Sequence, residues 1–411
     1  MSKSVVAVRK EGNQYLAYFL EQRITIYVSE VGAKILVKFL NEDMSVNDIA
    51  TDLVGEYRDS NYLQVLSDTK TFLAEIYKGL STTNVNEAEN DFLDRPLGVE
   101  IEITTACNLR CKHCFQGEYP EKYMTLDRFV EIVNILVENN IYEIHLVGGE
   151  IFKHPDIIKM LKYLDSKNVS VTIVTNAIGI GDEEMKILKE MKRLYVLVSI
   201  DGTRELHDKI RGIGVFDKVI PKIKYMNKNG IKVELLCTMN GINVDHADEI
   251  TKMAKSLGVP INFNLFKPFN KAQEFLTVKP EDFFDTVEML LDMRKNGYQV
   301  GISDASIAAE ALGLPEKNEC TATMSGMVIT TDGKMITCPY LLEAGYYTAK
   351  ELPDFDENFI SEWKNGKMFS KFRENGQKGC QARSLIFSGD VQKGDPYDLN
   401  SYRKYKQGTS F

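Results

Sequence analysis

Three cysteines lie within the eight-residue segment CNLRCKHC, which begins at position 107. Cys107, Cys111 and Cys114 follow a Cys-x3-Cys-x2-Cys spacing. A structural zinc site needs four ligands, and His113 would struggle to be the fourth because it is the immediate neighbour of Cys114. A [4Fe–4S] cluster on three thiolates would instead leave one iron without a protein ligand, and catalytic metal sites keep such an open position. The alternative, a loop of buried, inert thiols, is hard to explain by packing.

Strand-like and helical runs alternate from Leu97 onward, and the cysteine loop follows the first of these strands. The six strand-like runs are VEIEIT, EIHLVGG, VSVTIVTN, YVLVSID, KVELLCTMN and INFNLF. Amphipathic helical segments such as LDRFVEIVNILVENN lie between them. This alternation predicts a parallel sheet with helices outside, as an open doubly wound sheet or as a barrel, complete or incomplete. In both folds the loops at the carboxyl ends of the strands build the active site.

The cysteine loop resembles the signature of the radical S-adenosylmethionine superfamily, Cys-x3-Cys-x-aromatic-Cys, with His113 in the aromatic slot. Further motifs of that family have counterparts on successive strand ends between residues 97 and 270. They are VGGE at 147–150, VTNA at 174–177, VSIDG at 198–202, HDKIRG at 207–212 and TMNGIN at 238–243. Each motif is weak alone, but their order is specific. A proline usually follows the second-strand motif in the family, whereas Ile151 stands here.

The resemblance implies a partial (βα)6 TIM-like barrel that holds a [4Fe–4S] cluster on Cys107, Cys111 and Cys114. The free iron of this cluster would chelate S-adenosylmethionine, and one electron would release a 5′-deoxyadenosyl radical that abstracts hydrogen from the substrate. Gly148, Gly149 and Glu150 are expected to meet the methionine amino group, and Arg211 its carboxylate. The other residues expected to bind or lie near the cosubstrate are His113, Asn176, Ser199 and Asp201.

A second set of cysteines lies near the carboxyl terminus. Cys320 and Cys338 frame CTATMSGMVITTDGKMITC, in which VITTDGKMITCP predicts a hairpin with an Asp-Gly turn. This segment resembles the opening motif of SPASM/Twitch domains, and GCQARSLIFSGDVQKGDPYD, which contains Cys380, resembles their closing segment. Gln377 and Asp398 stand where two of that family's cysteines would be. The resemblance implies one auxiliary iron–sulfur cluster on Cys320, Cys338 and Cys380, with a fourth position that is open, held by Asp398 or taken by substrate; the alternative is three ordinary buried thiols.

The first 85 residues have a different pattern. QYLAYFL and RITIYVS predict short strands, and EVGAKILVKFL, SVNDIATDLVGEY and NYLQVLSDTKTFLAEIYKGL predict helices, the second capped by Ser45. The pattern resembles a winged-helix α+β unit, in particular the recognition element that holds the leader of a ribosomally made and modified precursor peptide (RiPP). The leader would add a strand at the edge from Arg23 to Val28, beside a groove supplied by LSDTKTFLAEIY. The alternative is a purely structural cap on the barrel.

These patterns divide the chain into a recognition element at 1–85, a linker at 86–96, the partial barrel at 97–315 and an auxiliary-cluster domain at 316–411. The net charge of −9 argues against binding to nucleic acid or an anionic membrane. No apolar run could span a bilayer and no signal peptide opens the sequence, so a cytoplasmic location is expected. There, seven cysteines favour metal binding or catalysis over a disulfide framework. Cys237, inside VELLCTM, is the exception and is predicted to pack in the core.

The three units together imply a radical enzyme that modifies a precursor peptide, with electrons from an external donor such as flavodoxin or ferredoxin. Hydrogen abstraction from a core residue would lead to a thioether or carbon–carbon crosslink, while the auxiliary cluster binds a substrate thiolate or accepts the second electron. One rival is a radical enzyme for another substrate, such as a sulfatase cysteine or a tetrapyrrole, which predicts no tight leader binding by residues 1–85. The other is an iron–sulfur electron-transfer or sensor protein, which predicts no cleavage of S-adenosylmethionine.

Overall fold

The computed structural model describes residues 5–57, 60–81, 92–116, 120–269, 271–303, 305–312, 320–375 and 379–408. Gln377, the predicted domain boundary at 315/316 and residues 86–91 of the predicted linker lie outside these ranges. No helix within them has the length and apolar composition needed to cross a membrane.

The amino-terminal unit is a three-stranded antiparallel sheet followed by three helices. Its elements are β1 (Val6–Glu11), β2 (Gln14–Phe19), β3 (Ile24–Val28), α1 (Glu30–Leu36), α2 (Val46–Glu56) and α3 (Tyr62–Ser81). Ser45 caps α2 as predicted, because its hydroxyl oxygen accepts a hydrogen bond from the Asp48 amide. The sequence analysis missed β1, whose Arg9 and Glu11 are both buried in an ion pair of 2.7 Å. Strands are usually recognised by apolar residues at the buried positions, and in β1 two of the buried positions carry charged residues.

The central unit alternates strands and helices as the sequence predicts. Its elements are β4 (Gly98–Thr104), α4 (Leu126–Glu138), β5 (Glu143–Gly148), α5 (Ile157–Asp165), β6 (Ser170–Thr175), α6 (Asp182–Glu190), β7 (Leu194–Ser199), α7 (Arg204–Arg211), α8 (Val215–Lys228), β8 (Val233–Met239), α9 (Ala247–Leu257), β9 (Ile261–Leu265), α10 (Pro280–Lys295), β10 (Val300–Ile302) and α11 (Ala305–Ala311). All six predicted strands, β4 to β9, are present and pair in parallel. Cys237 on β8 is fully buried, so its predicted place in the core is confirmed.

The carboxyl-terminal unit joins the same sheet. Its elements are β11 (Gly326–Ile329), β12 (Met335–Ile336), α12 (Pro339–Glu343), α13 (Phe359–Asn365), α14 (Lys367–Glu374), α15 (Gln381–Ser388) and α16 (Leu399–Lys406). The predicted hairpin is present, with Gly333 at a φ of +74° in its turn. β11 pairs in parallel with β4, so the strand order of the nine-stranded sheet is β10-β9-β8-β7-β6-β5-β4-β11-β12. The second cysteine set is thereby attached to the strand that carries the first.

The alternation along β4 places charge inside the curved sheet. Val99, Ile101 and Ile103 are fully buried and pack against the helices. Because successive side chains of a strand point to opposite faces, Glu100 and Glu102 face the interior. Parallel strands covered on both faces are usually apolar throughout. The alternating VEIEIT sequence therefore indicates that the concave face of this sheet is lined by polar groups, as a binding site would be.

The amino-terminal unit docks at the end of the sheet where the parallel strands begin. Tyr18 of β2 donates a hydrogen bond to Glu143, the first residue of β5. Arg23, in the turn between β2 and β3, lies 3.5 Å from both a Glu143 carboxylate oxygen and the His145 ring. The Lys232 ammonium donates to the Glu21 carbonyl at 2.9 Å. Arg23, predicted as the start of the leader-binding edge, precedes β3, and its side chain contacts the barrel instead.

Candidate functional site

The cysteine loop leaves β4 and is hydrogen-bonded to the end of β5. The amides of Gly149 and Glu150 donate to the carbonyls of Thr104 and Ala106 at 2.9 and 2.8 Å. A Cβ atom at Gly148 would lie 2.2 Å from the Thr104 oxygen, and one at Gly149 would lie 2.4 Å from the Ala106 oxygen. Gly148 also has a φ of +151°. Both glycines are thus required for the backbone to approach the loop this closely.

Further contacts hold the loop across the mouth of the barrel. The Lys112 amide donates to the Ile210 carbonyl at 3.0 Å, which ties the loop to α7. The side-chain amide of Gln273 donates to the carbonyls of Lys112 and Cys114 at 3.2 and 3.1 Å. The sequence analysis missed Gln273, because the contact spans about 160 positions and no local motif surrounds it. Gln273 fixes the backbone on which Cys114 stands.

A buried charged network lies directly behind the loop. Arg211 donates from Nε to Asp201 at 2.5 Å, and its Nη1 lies 3.9 Å from the Cys111 sulfur. The His113 Nε2 lies 3.5 Å from Arg211 Nη2 and 3.6 Å from Asp201 Oδ2. Burial alone would raise the pKa of Asp201, but Arg211 and His113 hold this pKa below its usual value. Burial lowers the pKa of His113 to about 4, so its ring is neutral at pH 7.

Glu150 occupies a second buried position behind the strand ends. Its carboxylate accepts hydrogen bonds from the Thr175 hydroxyl and the Asn176 amide, both at 2.7 Å, and burial raises its pKa. The Asn176 side chain in turn donates to Asn108 of the cysteine loop at 2.7 Å. Glu150 therefore joins the ends of β5 and β6, and Asn176 connects them to the loop.

One cavity at the mouth of the barrel brings most of the predicted residues together. The predicted residues that line this cavity are Cys107, Cys111, His113, Cys114, Gly148, Gly149, Asn176, Ser199 and Arg211. Glu150 and Asp201 are almost fully buried and lie behind this wall. In this structure the glycines, Asn176 and Arg211 face the cavity, whereas the two carboxylates orient its lining.

The opposite wall of the cavity is aromatic, and the sequence analysis did not anticipate it. Tyr340 and Phe269 stack with ring centroids 5.6 Å apart, and Phe115 lies 5.0 Å from Tyr340. The Lys267 ammonium lies 4.4 Å above the Tyr340 ring. Phe115 follows Cys114 directly and Tyr340 comes two residues after Cys338. The aromatic wall therefore lies between the two cysteine sets.

Three cysteine side chains on one cavity are the kind of ligands that an iron–sulfur cluster uses. All three line one cavity, yet among the described residues no three His, Cys, Asp or Glu side chains converge as ligands of one metal ion would. In a [4Fe–4S] cluster each thiolate binds a different iron, so convergence on one point is not needed. Burial raises the pKa of the Cys111 thiol to about 11, so metal binding here would displace a proton.

Two of the three cysteines in the second set lie at the beginnings of helices. Cys338 directly precedes α12 and Cys380 directly precedes α15, and these two helices pack against each other. Burial and the nearby Cys380 raise the pKa of Cys320 to about 11 and that of Cys338 to about 12. Asp398, a predicted candidate for the fourth ligand, caps α16 by accepting from the Ser401 amide at 2.7 Å.

Comparison with known proteins identifies relatives for this architecture. Residues 101–257 match the family model of the Radical SAM superfamily. Mycofactocin maturase MftC of Mycobacterium tuberculosis is 25% identical over 298 residues, which cover 70% of this chain and 75% of MftC. An AdoMet-dependent heme synthase of Methanosarcina barkeri is 23% identical over 352 residues, which cover 76% and 98% of the two chains. The fold resembles the crystal structure of Streptococcus suis SuiB bound to precursor peptide SuiA, with a TM-score of 0.72, 16% identity and coverage of 97% and 100%.

Proposed function

Because residues 101–257 form a radical S-adenosylmethionine domain, we propose that this chain modifies a ribosomally synthesised precursor peptide by hydrogen abstraction. The cavity carries the proposal, since three thiols and the Gly148–Gly149 backbone line it together with a separate aromatic wall. MftC is named as a maturase, and SuiB is described in complex with a precursor peptide. Both support a peptide as the substrate class.

The roles of the chain's residues follow from their positions in the cavity. Cys107, Cys111 and Cys114 would hold a [4Fe–4S] cluster, and the residues that would bind S-adenosylmethionine are Gly148, Gly149, Asn176, Ser199, Arg211 and, beside Arg211, His113. Bound and reduced, this pair of cofactors supplies a 5′-deoxyadenosyl radical that takes a hydrogen atom from the substrate. Asp201 fixes the Arg211 guanidinium, and Glu150 fixes the strand ends that carry Gly149 and Asn176. These buried carboxylates would pre-organise the site, and Glu150 is also assigned to the methionine amino group and Asp201 to the surroundings of the cosubstrate.

The second cysteine set is assigned an auxiliary iron–sulfur cluster on Cys320, Cys338 and Cys380. The aromatic wall between the two sets would orient an apolar part of the peptide near both clusters. The auxiliary cluster would bind a substrate thiolate or accept the second electron, and the product would be a thioether or carbon–carbon crosslink.

The leader of the precursor is assigned to the amino-terminal unit. In its sheet, order β1-β2-β3, the described strand β3 pairs on one side only, with β2. An extended peptide can add a strand to such an edge. The assigned edge is Ile24–Val28, with α3 beside it, and Arg23 is excluded because it contacts the barrel.

The first experiment is anaerobic reconstitution, reduction and addition of S-adenosylmethionine, with and without a short peptide encoded beside this gene. Mass spectrometry should detect 5′-deoxyadenosine and a peptide that has lost hydrogen atoms. A fully iron-loaded enzyme that forms no 5′-deoxyadenosine would contradict the radical assignment. Cleavage of S-adenosylmethionine without peptide binding to residues 1–85 would favour a tetrapyrrole substrate, which the similarity to the heme synthase keeps as the second candidate.

The auxiliary cluster is tested separately with Cys380→Ala. This change should lower the iron content by roughly half, if each cluster contributes four irons, and should leave cleavage of S-adenosylmethionine near that of the wild type. Cys237→Ala is the matched control, because it removes a fully buried cysteine that lies in the hydrophobic core. Equal iron contents in the two variants would show that Cys380 is not a ligand.

A further inference from the structure

An isoleucine stands almost fully in solvent beside the cysteine loop. Ile213 is 98% exposed, in the turn between α7 and α8. Its neighbours Gly212 and Gly214 have φ angles of +124° and +76°. The Asp208 carboxylate accepts hydrogen bonds from the amides of Gly214 and Phe216 at 2.7 and 2.9 Å, which fixes the turn. The exposure of Ile213 is therefore part of the folded structure.

Three exposed cations lie in the two segments that meet here. Arg110 and Lys112 belong to the cysteine loop, and Lys209 lies in the last turn of α7. The hydrogen bond from the Lys112 amide to the Ile210 carbonyl brings loop and helix together. None of the three cations forms an ion pair with a carboxylate of the described chain. A local cluster of unpaired positive charge is notable in a chain whose net charge is −9.

This patch lies on the thiol loop and the adjoining end of α7. The Arg110 guanidinium donates to the Cys107 carbonyl at 3.0 Å. Arg211, two residues before Ile213, reaches to within 3.9 Å of the Cys111 sulfur. A molecule that contacts the patch from solvent would therefore lie a few residues along the chain from two of the three thiols.

We propose that Arg110, Lys112, Lys209 and Ile213 form the docking surface for a small acidic one-electron carrier protein that reduces the cluster. The proposal rests on the proposed radical function, which requires one electron at this loop. Complementary charge would steer the carrier to the loop, and Ile213 would supply the apolar centre of the contact. For a flavin carrier, the anionic hydroquinone gives up one electron and becomes the neutral semiquinone, and the oxidised cluster gains that electron.

The test compares two reductants of the same iron-loaded enzyme. An acidic flavodoxin, kept reduced by NADPH and its reductase, depends on docking, whereas dithionite does not. K112E/K209E should raise the KM for flavodoxin in 5′-deoxyadenosine formation by roughly fivefold to tenfold at low salt, and less at high salt. I213S should raise this KM by roughly threefold. Dithionite-driven rates and iron contents should match those of the wild type.

The matched control is K224E/K228E, which reverses two exposed lysines of α8, one of them also in a last helical turn, at the far end of the barrel. Calorimetric titration with oxidised flavodoxin should give weaker binding for K112E/K209E only. An unchanged KM and affinity would overturn the proposal. So would loss of peptide conversion with dithionite, because the patch would then bind the peptide. Failure of the wild type with both reductants would instead count against the radical function itself.

Discussion

The two ends of the barrel each hold an arginine–carboxylate pair, but the pairs serve different purposes. At the carboxyl ends of the strands, Arg211 and Asp201 are 2.5 Å apart, and their side chains are 10% and 0% exposed. At the other end, Arg23 and Glu143 are 3.5 Å apart and 21% and 17% exposed. The first pair lies within one strand–helix unit, whereas the second joins the amino-terminal unit to β5. One orients a cavity, and the other attaches a domain.

The neighbours of each buried carboxylate indicate what the carboxylate does. Asp201 is surrounded by residues that face the cavity, and its second oxygen accepts from the Thr238 amide at 2.9 Å. Glu143 is surrounded by residues that belong to the interface, among them Tyr18 and His145. Substitutions in the first pair should therefore lower the rate of the reaction. Substitutions in the second pair should lower the stability of the fold and weaken the contact between the amino-terminal unit and the barrel.

The largest effect is expected from loss of the three thiols, which belong to neither arginine–carboxylate pair. Changing Cys107, Cys111 and Cys114 together to Ala should reduce 5′-deoxyadenosine formation to background, because no thiolate remains to hold the cluster. The part-exposed thiols leave the fold in place, so far-UV circular dichroism should match that of the wild type. Cys237→Ala should keep the activity at a cost in unfolding free energy of about 1–2 kcal/mol. Retained cleavage in the triple variant would remove the basis for assigning the barrel mouth to catalysis.

The next prediction concerns the pair at the carboxyl ends of the strands, Arg211 and Asp201, which we call the upper pair; Arg23 and Glu143 form the lower pair. Asp201→Asn leaves the Arg211 guanidinium buried without its counter-charge, which should lower the free energy of unfolding by about 3–5 kcal/mol. It should also lower 5′-deoxyadenosine formation, because Arg211 loses its fixed orientation. Denaturant titration and product analysis measure the two losses. Asp217→Asn is the control, since it breaks the exposed pair with Arg204 and should change both quantities little. A stability loss with unchanged activity would reduce Asp201 to a structural role.

The sequence indicated which residues lie at the carboxyl ends of the parallel strands, but it did not indicate the contacts at the amino ends. The reason is physical. The residues around the cavity stand at the ends of successive strands, so parallel pairing brings Cys107, Gly149 and Ser199 to one edge. Tyr18 and Arg23 meet Glu143 only after two units dock, and no local pattern records that contact. Gln273 and Tyr340 were missed for the same reason, because side chains from distant segments complete the cavity. β1 was missed because buried Arg9 and Glu11 made a strand look like a polar segment.

The smallest loss of activity and stability is expected at the lower pair, Arg23 and Glu143. Glu143→Gln keeps an acceptor for the Tyr18 hydroxyl but leaves Arg23 without its carboxylate, in a position that is one-fifth exposed. The expected loss of unfolding free energy at pH 7 is about 1–3 kcal/mol, with cleavage of S-adenosylmethionine within about twofold of the wild type. Glu310→Gln is the control, because it removes a carboxylate that pairs with Arg403 at the surface.

The pH dependence gives the lower pair a second test. Burial disfavours the charged form of Glu143, but His145, Arg23 and Tyr18 together lower its pKa from 4.5 to about 2. A folded-state pKa below the unfolded value means that this stabilisation is complete above about pH 4.5 and disappears as the pH falls toward 2. The gap in unfolding free energy between wild type and Glu143→Gln should therefore narrow as the pH falls below about 4.5. Urea titration of the cluster-free proteins measures the gap; a gap that stays constant down to pH 3 would mean that Glu143 stabilises the interface by shape and not by charge.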